Sequence, residues 1–139
     1  MRATQATLFR KNAILIEHDQ VQRELYCDIL NVNGFEVHNA KSAIDSIAKI
    51  RKEPYDLMVI NTEIAEESFL EKAISKVREE KHSQFMPIIG VSLYEEKNKK
   101  NITKILDAFL TKPLSIDKFM ECVFNSVETR SNGCKSTHS

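Results

Sequence analysis

The chain of 139 residues has no tryptophan and only three glycines, three prolines and three cysteines. Each scarcity excludes something. Gly34, Gly90 and Gly133 lie far apart, so no glycine-rich loop can cradle a phosphate or a dinucleotide. Cys27, Cys122 and Cys134 form no CxxC pair and no metal-ligand spacing. An odd count in a short chain fits a reducing, cytoplasmic compartment better than a disulfide framework. Net charge is missing too: 20 basic and 20 acidic side chains cancel, leaving no field to draw the chain onto nucleic acid or anionic lipid. No run approaches the roughly 18 apolar residues that a membrane helix requires, and Met1 to Asn12 lack a secretory signal, so a soluble chain is expected. Neither an HExxH motif nor a Ser-His-Asp order is present, and no metal site or enzyme is expected.

What is present is an alternation of short apolar runs with amphipathic stretches. Ala13-Ile14-Leu15-Ile16 has the composition of a strand buried on both faces of a parallel sheet. Val21, Leu25 and Ile29 then recur at helical spacing, with Asp19 or Gln20 as a cap and Gly34 as a stop. Phe35 to His38 alternates as a second strand, and Ser42 precedes a helix carrying Ile44, Ile47 and Ala48 that Pro54 ends. Asp56 to Ile60 forms a third strand, closed by Asn61, and Leu70, Ala73, Ile74 and Val77 line the next helix. Pro87 to Val91 is a fourth strand, Glu95 to Leu106 a weaker helix, and Ala108 to Leu110 a fifth strand. A last helix carries Ile116, Phe119, Met120, Val123 and Val127. Five βα units in one small domain predict a flavodoxin-like (βα)5 three-layer α/β sandwich, its parallel sheet ordered 2-1-3-4-5. The domain is expected over residues 12–128, after an N-terminal extension, 1–11, and before a disordered tail, 129–139, that has too few apolar groups to pack.

From Ala13 to Val127 the chain resembles the receiver domain of bacterial two-component response regulators. The resemblance rests on landmarks in order: an apolar third strand ending at residue 61, Ser92 at the end of the fourth strand, and Lys112-Pro113 after the fifth. It implies that an acidic metal-binding pair falls on Glu17 and His18, the phosphoacceptor on Asn61, the switch hydroxyl on Ser92, the switch aromatic on Phe109 and the pocket lysine on Lys112. Here the chain departs from the family pattern. An amide is neutral and a poor nucleophile, so Asn61 cannot take a phosphoryl group as a carboxylate does. His18 removes a second negative charge and leaves Glu17 and Lys112 formally cancelling, so Mg²⁺, which wants hard oxygen ligands, is expected to bind weakly or not at all, and no other cofactor is expected. Asp19 is no substitute, since alternation turns it from the pocket and toward capping the first helix. Lys112 is expected to bond Glu17, the Asn61 oxygen, or both. Ser92 and Phe109 are expected to pack rather than to switch.

The resulting expectation is a single-domain pseudo-receiver that acts by contact with a protein partner such as a histidine kinase, a phosphotransfer protein or another regulator, with weak homodimerisation and without nucleic acid or membrane. Two rivals stand beside it. One is a competent acceptor using Glu63, Glu17, Asp19 or a deamidated Asn61. The other is a flavodoxin-like ligand binder with its site around Glu17, Asn61 and Ser92.

Overall fold

A computed structural model describes residues 10–93, 100–112 and 115–132. The strands are β1 (Lys11–Ile16), β2 (Phe35–Asn39), β3 (Leu57–Asn61), β4 (Ile88–Ser92) and β5 (Ala108–Thr111). The helices are α1 (Gln20–Val32), α2 (Ala43–Lys52), α3 (Glu67–Glu79), α4 (Lys100–Ile105) and α5 (Ile116–Asn132), with a 3₁₀ turn at Lys81–Ser83. All strand pairs are parallel and the order is β2-β1-β3-β4-β5, as the alternation predicts.

The period-2 geometry of the strands sorts their side chains between two cores. Ala13 and Leu15 of β1, Leu57 and Val59 of β3, and Ile89 and Val91 of β4 face Tyr26, Ile29 and Leu30 of α1 and Phe119, Met120 and Val123 of α5. Their neighbours Ile14, Ile16, Met58, Ile60 and Ile88 face Ile47 and Ile50 of α2, Leu70, Ile74 and Val77 of α3, and Ile102 of α4. Strands buried on both faces read as continuous apolar runs, which is why the three central ones were legible.

Two helices turn differently from the expected faces. α1 buries Tyr26, Ile29 and Leu30, while Val21 and Leu25 are exposed at 71% and 41%. In α2, Ala43, Ser46, Ile47 and Ile50 point inward, and Ile44 and Ala48 are exposed. Ile116, at the start of α5, is exposed. In α1 and α2 a competing set of residues at helical spacing faces the sheet; α3 buries Leu70, Ala73, Ile74 and Val77, and α5 buries Phe119, Met120 and Val123, as expected. α5 also runs on to Asn132, so 129–132 are helical where the composition suggested a tail. The remaining segments, including Pro113 and Cys134, lie outside the described residues.

Local signals place the site. Asp19 is the N-cap of α1, its carboxylate accepting from Gln22 N–H at 2.9 Å, and Gly34 takes φ +97°, the left-handed turn that admits β2 alongside β1. The Asp19 cap fixes where α1 departs after β1, and so leaves Glu17 at the carboxyl edge of the sheet.

Candidate functional site

Glu17, directly after β1, is 2% exposed, a burial that a carboxylate tolerates only with partners. It has three. Lys112, after β5, donates from Nζ to Oε1 at 3.0 Å; Asn61, at the end of β3, donates from Nδ2 to Oε2 at 3.0 Å; and the Asp19 N–H donates to Oε2 at 3.1 Å. The Glu17–Lys112 pair is largely removed from water, with side-chain exposures of 1% and 9%. Of the two bonds expected for Lys112, the structure shows the one to Glu17.

Asn61 is oriented by chemistry. Its Oδ1 accepts from the Glu63 N–H at 2.9 Å while Nδ2 faces Glu17. The flipped amide would set oxygen against carboxylate and NH₂ against N–H, losing both bonds. The residue therefore spends its donor on β1 and its acceptor on its own turn, an Asx-type closure that Ile64 N–H reinforces by bonding the Asn61 carbonyl at 3.3 Å.

His18 is exposed, and its Nε2 donates to the Lys41 carbonyl at 2.9 Å, tying the β1–α1 turn to the β2–α2 turn instead of joining Glu17. Asp19 is among the residues lining the cleft, and its carboxylate is occupied in capping α1, as expected. Ser92 is fully buried at the end of β4 and donates to Glu63 Oε2, which also accepts from Leu93 N–H at 2.8 Å. Phe109 is half-buried, its ring edge close to Gly90.

Above these residues lies a cleft of about 690 Å³, whose walls include Leu25, Tyr26, Ile64 and Leu93. Tyr26 stacks on Phe119 with ring centroids 5.2 Å apart. Burial first, then the carboxylates of Glu17 and Asp19, raise its phenol pKa above the ordinary value. Its hydroxyl has no hydrogen-bond partner among the described residues. Periodicity alone does not single out Tyr26, because Val21, Leu25 and Ile29 form a rival stripe on the same helix. The crossing of Glu63 to β4 was equally illegible: Glu63 was visible only as an alternative acceptor, and nothing local announces which strand a loop carboxylate will reach. Cys27 and Cys122 are half-buried, and burial pushes both thiols up, away from the reactive thiolate.

A doubly wound five-stranded sheet with a lysine, a glutamate and an amide gathered at its carboxyl edge is the frame of a phosphorelay receiver. The sequence profile of the response regulator receiver domain matches residues 13–124, and the chain belongs to that family. The chain is 22% identical over 116 residues to the polar-differentiation response regulator DivK of Brucella ovis, covering 81% of this chain and 93% of that protein. Similar solved structures include a CheY-like response regulator receiver domain protein of Methanospirillum hungatei JF-1, with a TM-score of 0.76 and 21% identity over 90% of this chain and 99% of that one. Another is the receiver domain of sensor histidine kinase PA1611 from Pseudomonas aeruginosa PAO1, with a TM-score of 0.74 and 15% identity over 86% and 98% of the two chains, described with a magnesium ion coordinated in its active-site cleft. The protein is thus a receiver domain of two-component signalling. Among the described residues no helix is long and apolar enough to cross a membrane.

Proposed function

We propose that the chain is a pseudo-receiver, which transmits its signal by binding a protein partner and takes no phosphoryl group at residue 61. The observation that carries this reading is the amide of Asn61, which donates to Glu17 and accepts from Glu63 N–H. A carboxylate there would be a nucleophile; an amide in that place is a structural tie. The alternative acceptors are engaged as well: Glu17 by Lys112, Asp19 by the α1 cap and Glu63 by Ser92 and Leu93.

The residues do not fit Mg²⁺. The ion needs several oxygen ligands in octahedral array, yet both Glu17 oxygens already accept from protein donors, the Asn61 oxygen turns to Glu63, and His18 reaches the Lys41 carbonyl. No three His, Cys, Asp or Glu side chains converge among the described residues. The partner we assign is a histidine kinase, a phosphotransfer protein or another regulator.

Incubation with acetyl phosphate and Mg²⁺, followed by intact-mass measurement, is expected to leave the wild-type mass unchanged; a stoichiometric, acid-labile adduct overturns the proposal. The Asn61→Asp variant, run alongside, separates the causes: labelling in that variant alone assigns the block to the amide, and none in either assigns it to the missing metal site as well. One observation favours a second reading, a small-molecule binder: the Tyr26 hydroxyl beside the cleft has no hydrogen-bond partner among the described residues. A low-mass ligand retained in native mass spectrometry would support it, and an empty spectrum would count against it.

A further inference from the structure

The carboxyl ends of β3 and β4 are joined by a side chain as well as by the sheet. Glu63 stands two residues beyond Asn61, and its backbone is fixed there by the Asn61 amide oxygen at 2.9 Å. From that anchor its carboxylate crosses to β4. A single oxygen, Oε2, accepts from the buried Ser92 hydroxyl and from the Leu93 N–H. Hydroxyl and backbone N–H together make a two-donor cradle for an oxyanion, and a carboxylate is bound by such donors more strongly than a neutral acceptor. One turn further along the chain, Glu67 Oε2 accepts from the Ile102 N–H at 3.0 Å, so a second carboxylate of the same segment holds α4. Lys112, Glu17, Asn61, Glu63 and Ser92 thereby form one continuous polar clasp over the ends of β5, β1, β3 and β4.

We infer that Glu63 is a resident anion, whose carboxylate fills the Ser92–Leu93 cradle and ties the end of β4 to the β3–α3 turn, from which Glu67 also holds α4 at Ile102, a linkage that no added phosphoryl group sets. The inference rests on the reading that Asn61 takes no phosphoryl group, and it says what stands in its place. The donors an incoming oxyanion would need at the lip of the cleft are already taken by the chain itself. A protein partner that approaches this edge therefore meets a β4 end whose state is written into the sequence at residue 63.

Amide exchange on the ¹⁵N-labelled full chain tests it. In E63A the Leu93 amide is expected to exchange roughly tenfold faster than in the wild type, the scale of one lost charge-assisted hydrogen bond. E63Q, whose amide oxygen still accepts but without charge, should fall between. Glu66 is exposed and makes no side-chain cap bond, so E66Q should leave Leu93 unchanged. An E63A protein that folds and exchanges Leu93 at the wild-type rate overturns the inference; if E63A does not fold, E63Q at the wild-type rate does so. Inorganic phosphate is the second probe. A saturable shift of the Leu93 amide in E63A that is absent from the wild type supports a filled cradle, whereas equal shifts in both refute it. These readouts are independent of phosphoryl uptake. Exchange that depends on Glu63 in a chain that nonetheless labels would refute the pseudo-receiver reading alone, and unlabelled protein with no Glu63 dependence would refute the resident anion alone.

Discussion

Asn61 differs from aspartate by one NH₂ group, and that group faces a buried carboxylate. Replacing it by oxygen would remove the 3.0 Å bond to Glu17 and set two negative charges in contact beside one lysine. The Asn61→Asp variant is therefore expected to lose about 1–3 kcal/mol of stability, read as a lower urea midpoint at pH 7 with an unchanged slope. An equal or higher midpoint would show that Lys112 compensates both carboxylates. Glu17 shows the same physics from the other side. A carboxylate this buried is stable only because Lys112, Asn61 and the Asp19 amide surround it, and losing the lysine would leave a charge that burial punishes. The residue identities at the site were legible through the resemblance to the receiver family, because Asn61 and Ser92 each end a strand and Glu17 and Lys112 each directly follow one. Their bonds were not. Whether Lys112 would choose Glu17 or Asn61, and where Glu63 would go, depends on distances between strands far apart in sequence.

At the scale of elements, Gly90 shows how tightly β4 sits under its neighbours. A methyl group there would lie 2.6 Å from Leu106 Cδ1, 3.0 Å from Thr62 Cγ2 and 3.2 Å from Phe109 Cδ1. Gly90→Ala requires the side-chain ends of Leu106, Thr62 and Phe109 to give way, and overpacking of this kind costs about 1–3 kcal/mol. Thermal unfolding is expected to show a lower Tm, and the Ser92 and Leu93 resonances should move with it, since both follow Gly90 on the same strand. An unchanged Tm would mean that Leu106 swings clear. The helices carry a related lesson. α3 was legible because its apolar stripe has no rival, whereas α1 offers two overlapping stripes at the same period, Val21-Leu25-Ile29 and Tyr26-Ile29-Leu30. Periodicity says that a helix is amphipathic; the sheet decides which stripe it covers. Tyr26 and Phe119 stack across the α1–α5 layer, and that aromatic pair favours the second stripe.

For the whole molecule, the two cores leave phenols in places where ionisation opposes the fold. Burial, with Glu53 nearby, pushes Tyr55 up to about 12 from an ordinary 10.0, and Tyr26 is raised further still by burial and the carboxylates of Glu17 and Asp19. A folded-state pKa above the unfolded one gives stability that is complete below pH about 10 and is lost as pH rises toward 12. Absorbance titration of the native protein is thus expected to show these phenols ionising late, with the denaturation midpoint falling across that window. Tyr26→Phe and Tyr55→Phe together should flatten the fall; a midpoint equally steep in the double variant would place its cause elsewhere.

The amino-acid order by itself determined the strand and helix succession, the parallel sheet and its order. Those follow from local periodicity, caps and strand-ending polar residues, which neighbours along the chain specify. Only the tertiary structure decided which stripe of α1 is buried, that α5 continues to Asn132, that Asn61 gives its NH₂ to Glu17, and that Glu63 reaches Ser92. The reason is physical. Each of these is a choice among partners of similar chemistry, and only the distance between elements remote in sequence selects one of them.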